Sequence, residues 1–302
     1  HWGIEGALQR LNGMFAFALW DSTECTMHLA RDRIGEKPLY FGWQGDSFLF
    51  GSELKALKMH PSFRDQIDRD SLSLYFRYNN IPAPFSIYSD IYKLAPGSIL
   101  TLRQGEKKYK VRKYWSVFNT AIQGLSNLSK NTEEELVFEL DNMLRKSIKQ
   151  KLVSDVPVGA FLSAGIDSST VVSIMRSLSS KPIKTFTIGF KDEAYDEAND
   201  ASLIANHMGT DQHELYVEPQ DIIDLIPILS DLYDEPFSDA SQIPTYLVSK
   251  LAKETVTVSL SGDGGDELFS GYNRYHITEK FWGVIKILPL FCRKLISLLL
   301  LS

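Results

Sequence analysis

The stretch that decides the fold lies at residues 158–175 and reads VGAFLSAGIDSSTVVSIM. Its first part, Val158–Leu162, is a short apolar run typical of a buried strand. The small and hydroxylated residues Ser163–Ser169 follow, and apolar residues at helical spacing come next. A loop that enters a helix leaves unpaired N–H groups, which with the helix dipole favour a phosphate group. The stretch therefore predicts a strand, a phosphate loop and a helix, although Asp167 or Ser168 could instead be a simple helix cap.

The second half of the chain repeats this order of elements. A possible capping box, Thr132 with Glu135, follows the polar residues 119–131, which we interpret as a linker. Short apolar strands then alternate with amphipathic helices, and this alternation indicates parallel strands joined by helical crossovers. The predicted strands are 158–162, 183–190 and 256–260, and the predicted helices are 168–177, 198–207 and 245–253.

The first third of the chain predicts antiparallel strands. Apolar runs are separated by polar turns such as Asp21–Glu24, which is typical of hairpins. Cys25 follows that turn, and we expect it on a strand, where it is structural or incidental. The predicted strands are 14–20, 26–31, 39–43, 48–51, 99–102 and 109–111, with a short helix at 54–58.

A second candidate site follows the strand predicted at 256–260. Residues 261–267 read SGDGGDE, with three glycines and three acids. Glycine permits close backbone approach, and acids this close repel one another unless a cation or a substrate ammonium joins them. A calcium-binding loop is the alternative, but the EF-hand spacing is absent. Because ligands bind beyond the carboxyl ends of parallel strands, we expect both loops at one edge of the sheet.

Composition limits the other function classes. The chain has 302 residues and a formal net charge of -6, which argues against a nucleic-acid surface. Two cysteines without a Cys/His cluster make a zinc site or a disulfide framework improbable and favour a reducing cytoplasm. The apolar stretch 282–301 contains Lys286, Arg293 and Lys294 and is broken by Pro289. We therefore expect a buried helix there, or one left exposed by truncation, and no membrane partner.

Two loops together carry a resemblance to a known family. Residues 163–169 resemble the SGGxDSS loop of the ATP pyrophosphatase (PP-loop) superfamily, and 261–272, SGDGGDELFSGY, is similar to the second signature of glutamine-hydrolysing asparagine synthetases. Further matching motifs occur in that family's order over nearly the whole chain. They include NGMFAF at 12–17, RDRIGEKPLY at 31–40, SELKAL at 52–57, TIGF at 187–190, DE at 196–197 and DEPF at 234–237.

The resemblance implies an α/β fold in two parts. Residues 1–115 would be the C-terminal part of an antiparallel, Ntn-type glutamine amidotransferase domain, and 116–302 a Rossmann-like, parallel-sheet PP-loop synthetase domain. It implies an enzyme that adenylates aspartate with ATP and Mg²⁺ and transfers ammonia from glutamine, with a homodimer possible. The alternatives are a related amidotransferase of the surface-polysaccharide or β-lactam synthetase type, or an inactive nucleotide-binding fragment.

The resemblance also assigns roles by matching position. Asp263 is the expected catalytic residue, and Asp167 and Asp266 are the expected Mg²⁺ ligands. Asp234, Glu235 and Asp239 either shape the amino-acid site or are helix caps and solvated acids. The expected ATP-binding residues are Leu162, Ser163, Gly165, Asp167, Ser168, Ser169, Ile188, Ser261 and Gly262.

Several positions depart from the family pattern. Residue 1 is His1 where a nucleophilic cysteine is expected, so we expect a chain truncated at both ends and no glutaminase activity from it. A C-terminal lysine that assists adenylation is also expected beyond this chain. Ala164 replaces the middle glycine of the phosphate loop. If that position needs a positive φ, alanine strains it by about 1 kcal/mol or more.

Overall fold

The computed structural model describes residues 1–190 and 197–301. It consists of two compact units. Unit 1 comprises His1–Asn131 and Asp224–Ala240, and unit 2 comprises Thr132–Ile223 and Ser241–Ser302. The domain boundary expected between residues 115 and 116 stays a prediction.

Unit 1 is built on two antiparallel sheets, as the alternating hairpin pattern predicts. The strand order is β1-β2-β6-β7 in one sheet and β4-β3-β5 in the other. The strands are β1 (Ala16–Asp21), β2 (Thr26–Arg31), β3 (Tyr40–Gln44), β4 (Ser47–Gly51), β5 (Ile91–Lys93), β6 (Ser98–Arg103) and β7 (Lys110–Lys113). The helices are α1 (Gly3–Arg10), α2 (Leu54–Lys58), α3 (Arg69–Tyr78) and α4 (Val117–Ser126).

One expectation about this region is wrong, and a second gains a helix. Cys25 lies in the turn between β1 and β2, exposed and at φ 48°, and not on a strand. Helix α4 occupies most of the segment interpreted as a linker, because Ala121, Ile122 and Leu125 follow helical spacing among the polar residues. Ser116 caps this helix by accepting a hydrogen bond from the amide of Asn119 at 3.4 Å.

A buried carboxylate organises the loop after β2. Asp32 is 1% exposed, and its side chain accepts hydrogen bonds from the amides of Phe15, Gly35, Glu36 and Lys37. Burial by itself would raise the pKa of the Asp32 carboxyl, but these backbone donors outweigh it and the net pKa is lowered. The ionised carboxylate therefore fixes the backbone of residues 33–37.

Unit 2 is an α/β layer structure around a parallel sheet with the order β10-β9-β8-β11. This confirms the predicted fold class. Its strands are β8 (Val158–Phe161), β9 (Lys184–Phe190), β10 (Asp211–Val217) and β11 (Val258–Leu260). Its helices are α5 (Glu133–Lys151), α6 (Ile166–Leu178), α7 (Ala198–Met208), α10 (Gln242–Lys253), α11 (Gly265–Phe269), α12 (Asn273–Ile285) and α13 (Leu290–Leu301), and the connection from β10 to α10 contains α8 (Pro219–Leu225) and α9 (Leu229–Leu232).

The local signals that start unit 2 are confirmed. Thr132 and Glu135 form the reciprocal capping box at the start of α5. Ala160, Val172 and Met175 are buried in one apolar cluster between the sheet and α5–α7, so β8 and α6 are fixed on both sides of the loop that joins them.

The apolar C-terminal stretch forms α12 and α13. No helix in the described part of the chain is long and apolar enough to cross a membrane.

Candidate active site

A cleft of about 710 Å³ lies at the carboxyl ends of β8, β9 and β11. This is the sheet edge where an open parallel sheet binds ligands. Ten of the residues expected to bind ATP, metal or substrate line it. They are Leu162, Ser163, Gly165, Asp167, Ser168, Ile188, Ser261, Gly262, Asp263 and Asp266.

The phosphate loop is held together by its own hydroxyl groups. The Oγ atoms of Ser163 and Ser168 lie 2.9 Å apart, and Ser168 Oγ also accepts a hydrogen bond from the Ser163 amide at 3.2 Å. Ser163 Oγ accepts from the Gly165 amide at 3.1 Å. The N-cap residue of α6 is Gly165, which has no side chain to cap the helix, so the amides of Ile166 and Asp167 are left for an anion.

Ala164 is not strained in this loop. Among the described residues, the non-glycine positions with positive φ are Cys25, Asn79, Asp90 and Ser270. Ala164 is therefore in an ordinary backbone region, and the strain considered for this position does not arise. The loop geometry needs no glycine there.

The acidic loop after β11 packs directly on the start of α6. A methyl group built on Gly262 would lie 2.7 Å from the amide nitrogen of Ser168, and one on Gly265 would overlap the carboxylate of Asp167. A methyl group on Gly271 would likewise overlap the carboxylate of Asp266. The first two approaches explain glycine at positions 262 and 265 of the loop, since a Cβ there would displace a neighbouring group, whereas Gly264 adopts a positive φ of 89°.

The cleft is acidic. Four carboxylate side chains line it, those of Asp167, Glu197, Asp263 and Asp266, and none of its described lining residues is lysine or arginine. Asp263 is exposed and accepts a hydrogen bond from the Ser261 hydroxyl at 3.0 Å. A polyanion that enters this cleft needs cations to offset the carboxylates.

The carboxylates of the cleft suit a hard metal ion that takes its remaining oxygen ligands from substrate and water. Within the described residues, no group of three or more His, Cys, Asp or Glu side chains is placed to hold a metal ion. Asp167 and Asp266 each offer carboxylate oxygens toward the cleft. Mg²⁺ commonly binds through one or two carboxylates plus substrate phosphates and water. The two aspartates therefore suit Mg²⁺, which does not need a full set of protein ligands.

One buried hydroxyl positions the start of the phosphate loop and was missed in the sequence. Thr187 is 3% exposed, and its Oγ1 donates to the Leu162 carbonyl at 2.9 Å. The Leu162 amide donates to the Phe186 carbonyl at 3.0 Å. Strand β9 thus holds both backbone polar groups of Leu162, the residue at which β8 passes into the loop. The motif TIGF contained Thr187, but only the strand pairing shows its partner.

Apolar walls complete the cleft, and most of them were also missed. Phe161 and Phe186 come from the sheet, and Pro244, Thr245 and Val248 from the first turns of α10. The signal available in the sequence was the three-residue spacing of Thr245 and Val248 at the start of a predicted helix. These surfaces are of the kind that encloses an aromatic ring.

Several expected residues do not line the cleft. Ser169 lies at a separate groove beside α5 and α7, and its Oγ is buried without a hydrogen bond to the described residues. Asp234 and Glu235 belong to unit 1, where Asp234 caps α2 by accepting from the amides of Leu54 and Lys55. The helix-cap interpretation therefore holds for Asp234. Asp196, from the motif at 196–197, lies outside the described residues.

Comparison with known proteins adds independent evidence. The family model "Asparagine synthase" matches residues 139–300, and "Glutamine amidotransferase domain" matches residues 1–115. A putative glutamine-hydrolysing asparagine synthetase 2 of Methanocaldococcus jannaschii is 37% identical over 95% of this chain and 54% of that protein. Asparagine synthetase 1 of Bacillus subtilis, also glutamine-hydrolysing, is 35% identical over 90% of this chain and 41% of that protein.

This chain thus spans about half the length of the curated relatives it matches. The matched family model covers more than half of the chain and includes the phosphate loop, the acidic loop and the sheet between them. The cleft geometry and the matched residues agree on one assignment. The chain belongs to the asparagine synthase family.

Proposed function

We propose that this protein is an ATP-dependent amide ligase of the asparagine synthetase type. It adenylates the side-chain carboxylate of aspartate, releasing pyrophosphate, and ammonia derived from glutamine then displaces AMP to give asparagine. The observation that carries the proposal is the direct packing of the two loops, Ser163–Ser169 and Ser261–Glu267, at one edge of the parallel sheet.

The phosphate loop supplies the anion site in this proposal. The open N–H groups of the first turn of α6 receive the phosphates, and Ser163 offers a further hydroxyl. Ser168 acts mainly by bracing the loop, because its hydroxyl accepts from the Ser163 amide and contacts the Ser163 and Gly165 carbonyls at 3.3 and 3.2 Å. Leu162 and Ile188 flank the adenine and ribose, and Ser261 and Gly262 contact the nucleotide from the other loop. Ser169 contacts phosphate only if its loop rearranges.

Asp167 and Asp266 hold Mg²⁺ in this proposal. The ion supplies positive charge that offsets the phosphate oxygens and the carboxylates of the cleft. Asp263 faces the same cleft, hydrogen-bonded to the Ser261 hydroxyl, and contacts the reacting aspartyl group during adenylation. Preorganised N–H groups stabilise charge that develops on the leaving pyrophosphate.

We assign residues 1–115 to an amidotransferase-type domain and residues 116–302 to the synthetase domain. This division is supported by the antiparallel sheets of unit 1 and the parallel sheet of unit 2. A homodimer and a location in the cytoplasm stay predictions. The substrates proposed are ATP, aspartate, and glutamine or ammonia.

The test is pyrophosphate release by the whole protein with ATP and aspartate across a Mg²⁺ titration. Asp167→Asn and Asp266→Asn each keep the side-chain shape but remove the charge a hard cation needs, so each should abolish release. ATP affinity measured with a chelator present should fall less, because the N–H groups remain. Asp155→Asn is the control, since Asp155 precedes β8 and lies outside the cleft.

Near wild-type release from either variant would exclude the metal role of that residue. Equal loss of metal-free ATP affinity would instead indicate a misfolded loop. Release with other carboxylates but not with aspartate would identify a different acceptor, as in the related amidotransferases.

A further inference from the structure

A group of polar side chains lies between the sheet of unit 2 and helix α7. Thr187 on β9, Gln212 and Glu214 on β10, and Ser202 on α7 are joined by hydrogen bonds, and we call these four residues the polar network. Gln212 and Glu214 share one face of β10, because alternate residues of a strand point to the same side. The network ends at the phosphate loop, where Thr187 contacts the Leu162 carbonyl.

Close packing of α7 on the sheet brings the network together. Ala198, Ala201 and Ala205 are buried on the face of α7 that meets the sheet. A methyl group built on Gly189 of β9 would lie 2.8 Å from the Cβ atom of Ala198. Because these residues are small, α7 lies near enough to the sheet for the short side chain of Ser202 to reach β10.

The carboxylate of Glu214 sets the direction of the hydrogen bonds at one end of the network. An ionised carboxylate only accepts hydrogen bonds, whereas a hydroxyl has a single proton to donate. The Ser202 hydroxyl donates to Glu214 Oε1 and has no second proton. The Ser202 oxygen can therefore only accept from Gln212.

Gln212 carries this direction across to Thr187. Its Nε2 lies 3.3 Å from Ser202 Oγ and 3.4 Å from Thr187 Oγ1, and an amide nitrogen has one proton for each of the two hydroxyls. Because Thr187 accepts from this amide, its own proton is left for the Leu162 carbonyl, at 2.9 Å. In the reverse orientation the carbonyl oxygen of Gln212 would face Thr187 and compete for that proton.

We propose that Gln212 is a positioning residue that directs the Thr187 hydroxyl proton to the Leu162 carbonyl and so fixes the entrance of the phosphate loop. Glu214, acting through Ser202, keeps the Gln212 amide in the required orientation. Gln212 is not among the described residues that line the cleft, so it acts through Thr187 and not on a substrate. The effect on ATP rests on the proposed function of the cleft.

Two substitutions at position 212 separate direction from size. Gln212→Glu keeps the shape but only accepts at about pH 8, so it should draw the Thr187 proton away from Leu162 and weaken ATP with Mg²⁺ about fivefold. Gln212→Met removes the polar group but leaves Thr187 free to donate to Leu162, so the affinity should stay within about twofold. A residue that only fills space would give the opposite order, and that order would overturn the proposal.

A double-mutant cycle with Thr187→Val removes the effect of the added charge. Without the Thr187 hydroxyl there is no proton to divert, so Gln212→Glu should weaken ATP binding by no more than about twofold in that background. Repulsion between the new carboxylate and ATP would act equally in both backgrounds. Equal losses of affinity in the two backgrounds would therefore overturn the proposal.

Glu214→Lys tests the other end of the network at an exposed position, and it serves if Gln212→Glu does not fold. Lysine only donates, so the Ser202 proton is released toward Gln212 and the amide can turn. ATP should bind about threefold more weakly, although a positive charge alone would favour a polyanion. Asp211→Lys is the matched control, because it makes the same charge change at an exposed position on the opposite face of β10. Affinity in Glu214→Lys equal to that control, or tighter, would overturn the proposal.

Hydrogen exchange of the full chain without nucleotide separates this proposal from the proposed function. The Leu162 amide donates to the Phe186 carbonyl at 3.0 Å, and the Ser163 amide donates to Ser168 Oγ at 3.2 Å. Both amides should exchange about threefold faster or more in Gln212→Glu, and like the wild type in Gln212→Met. Unchanged exchange in Gln212→Glu would overturn the proposal. If the wild type does not bind ATP, the proposed function fails, and the exchange data still decide whether Gln212 positions the loop.

Discussion

Replacing Thr187 by valine removes one hydroxyl beneath the phosphate loop and keeps the size of the side chain. Thr187 Oγ1 donates to the Leu162 carbonyl at 2.9 Å, and Thr187 is only 3% exposed. Valine is also β-branched, so the strand conformation of β9 is retained. The Thr187 hydroxyl also accepts from Gln212 Nε2 at 3.4 Å, but Gln212 keeps a contact with the Ser202 hydroxyl at 3.3 Å. The change should therefore act mainly on the Leu162 carbonyl, at the entrance to the loop.

The expected loss follows from leaving that carbonyl without its donor. An unsatisfied buried acceptor costs about 1–3 kcal/mol. If the substitution destabilises the ATP-binding conformation of the loop by even about 1 kcal/mol, ATP binds roughly fivefold more weakly. We therefore expect ATP with Mg²⁺ to bind at least about fivefold more weakly to Thr187→Val.

Strand β9 supplies its own matched control. Thr185 lies two residues earlier on the same face and is 0% exposed, but its hydroxyl is paired with the Thr210 hydroxyl at 3.0 Å. Thr210 keeps a second contact, to the Ala205 carbonyl at 3.4 Å. Thr185→Val should thus lower the free energy of unfolding by about 1 kcal/mol without changing ATP affinity.

Isothermal titration with ATP and Mg²⁺, beside urea unfolding, measures both quantities for each variant. Thr187→Ser restores the hydroxyl and should recover most of the affinity. Equal losses of ATP affinity in Thr187→Val and Thr185→Val would refute the reasoning, because only one of these hydroxyls contacts the loop. Wild-type affinity in Thr187→Val would refute it as well.

Three more changes test other parts of the structure. Gly265→Ala should displace the Asp167 carboxylate and raise the Mg²⁺ concentration needed for half-maximal pyrophosphate release, whereas Gly124→Ala, with open space around it, should leave that midpoint unchanged. Asp32→Asn should lower the free energy of unfolding by about 2–3 kcal/mol at pH 7. Because the folded-state pKa of Asp32 lies below its ordinary value of about 4, this difference should shrink as the pH falls below 4 in urea titrations; a constant difference would contradict the ionised-anchor role. Ala164→Gly should leave the ATP affinity measured by titration within about twofold of the wild-type value, because Ala164 is not strained. If alanine did strain the loop by about 1 kcal/mol, glycine would instead tighten ATP binding about fivefold.

Local patterns in the sequence determined the elements that carry the cleft. The run Val158–Leu162 followed by small residues and a helical pattern predicts a strand, a loop and a helix, and all three occur. The capping box of Thr132 and Glu135 is confirmed for the same reason, since its groups are three residues apart. The strand position expected for Cys25 is wrong because the polar turn before it extends one residue further, and helix α4 within 119–131 was not predicted because its apolar residues are scattered among polar ones.

Only the tertiary structure decided which polar groups meet. Ser168 and Ser169 are neighbours of the same type, yet a rotation of about 100° per residue turns one into the cleft and the other toward a separate groove. Asp234 and Glu235 resemble site acids in the sequence, but they cap a helix and pair with a lysine about 140–180 residues away. Likewise, Thr187 finds Leu162 through the pairing of β8 with β9. The sequence by itself specifies local conformation because its patterns repeat over three or four residues, whereas such pairings depend on surfaces that exist only after distant segments have packed together.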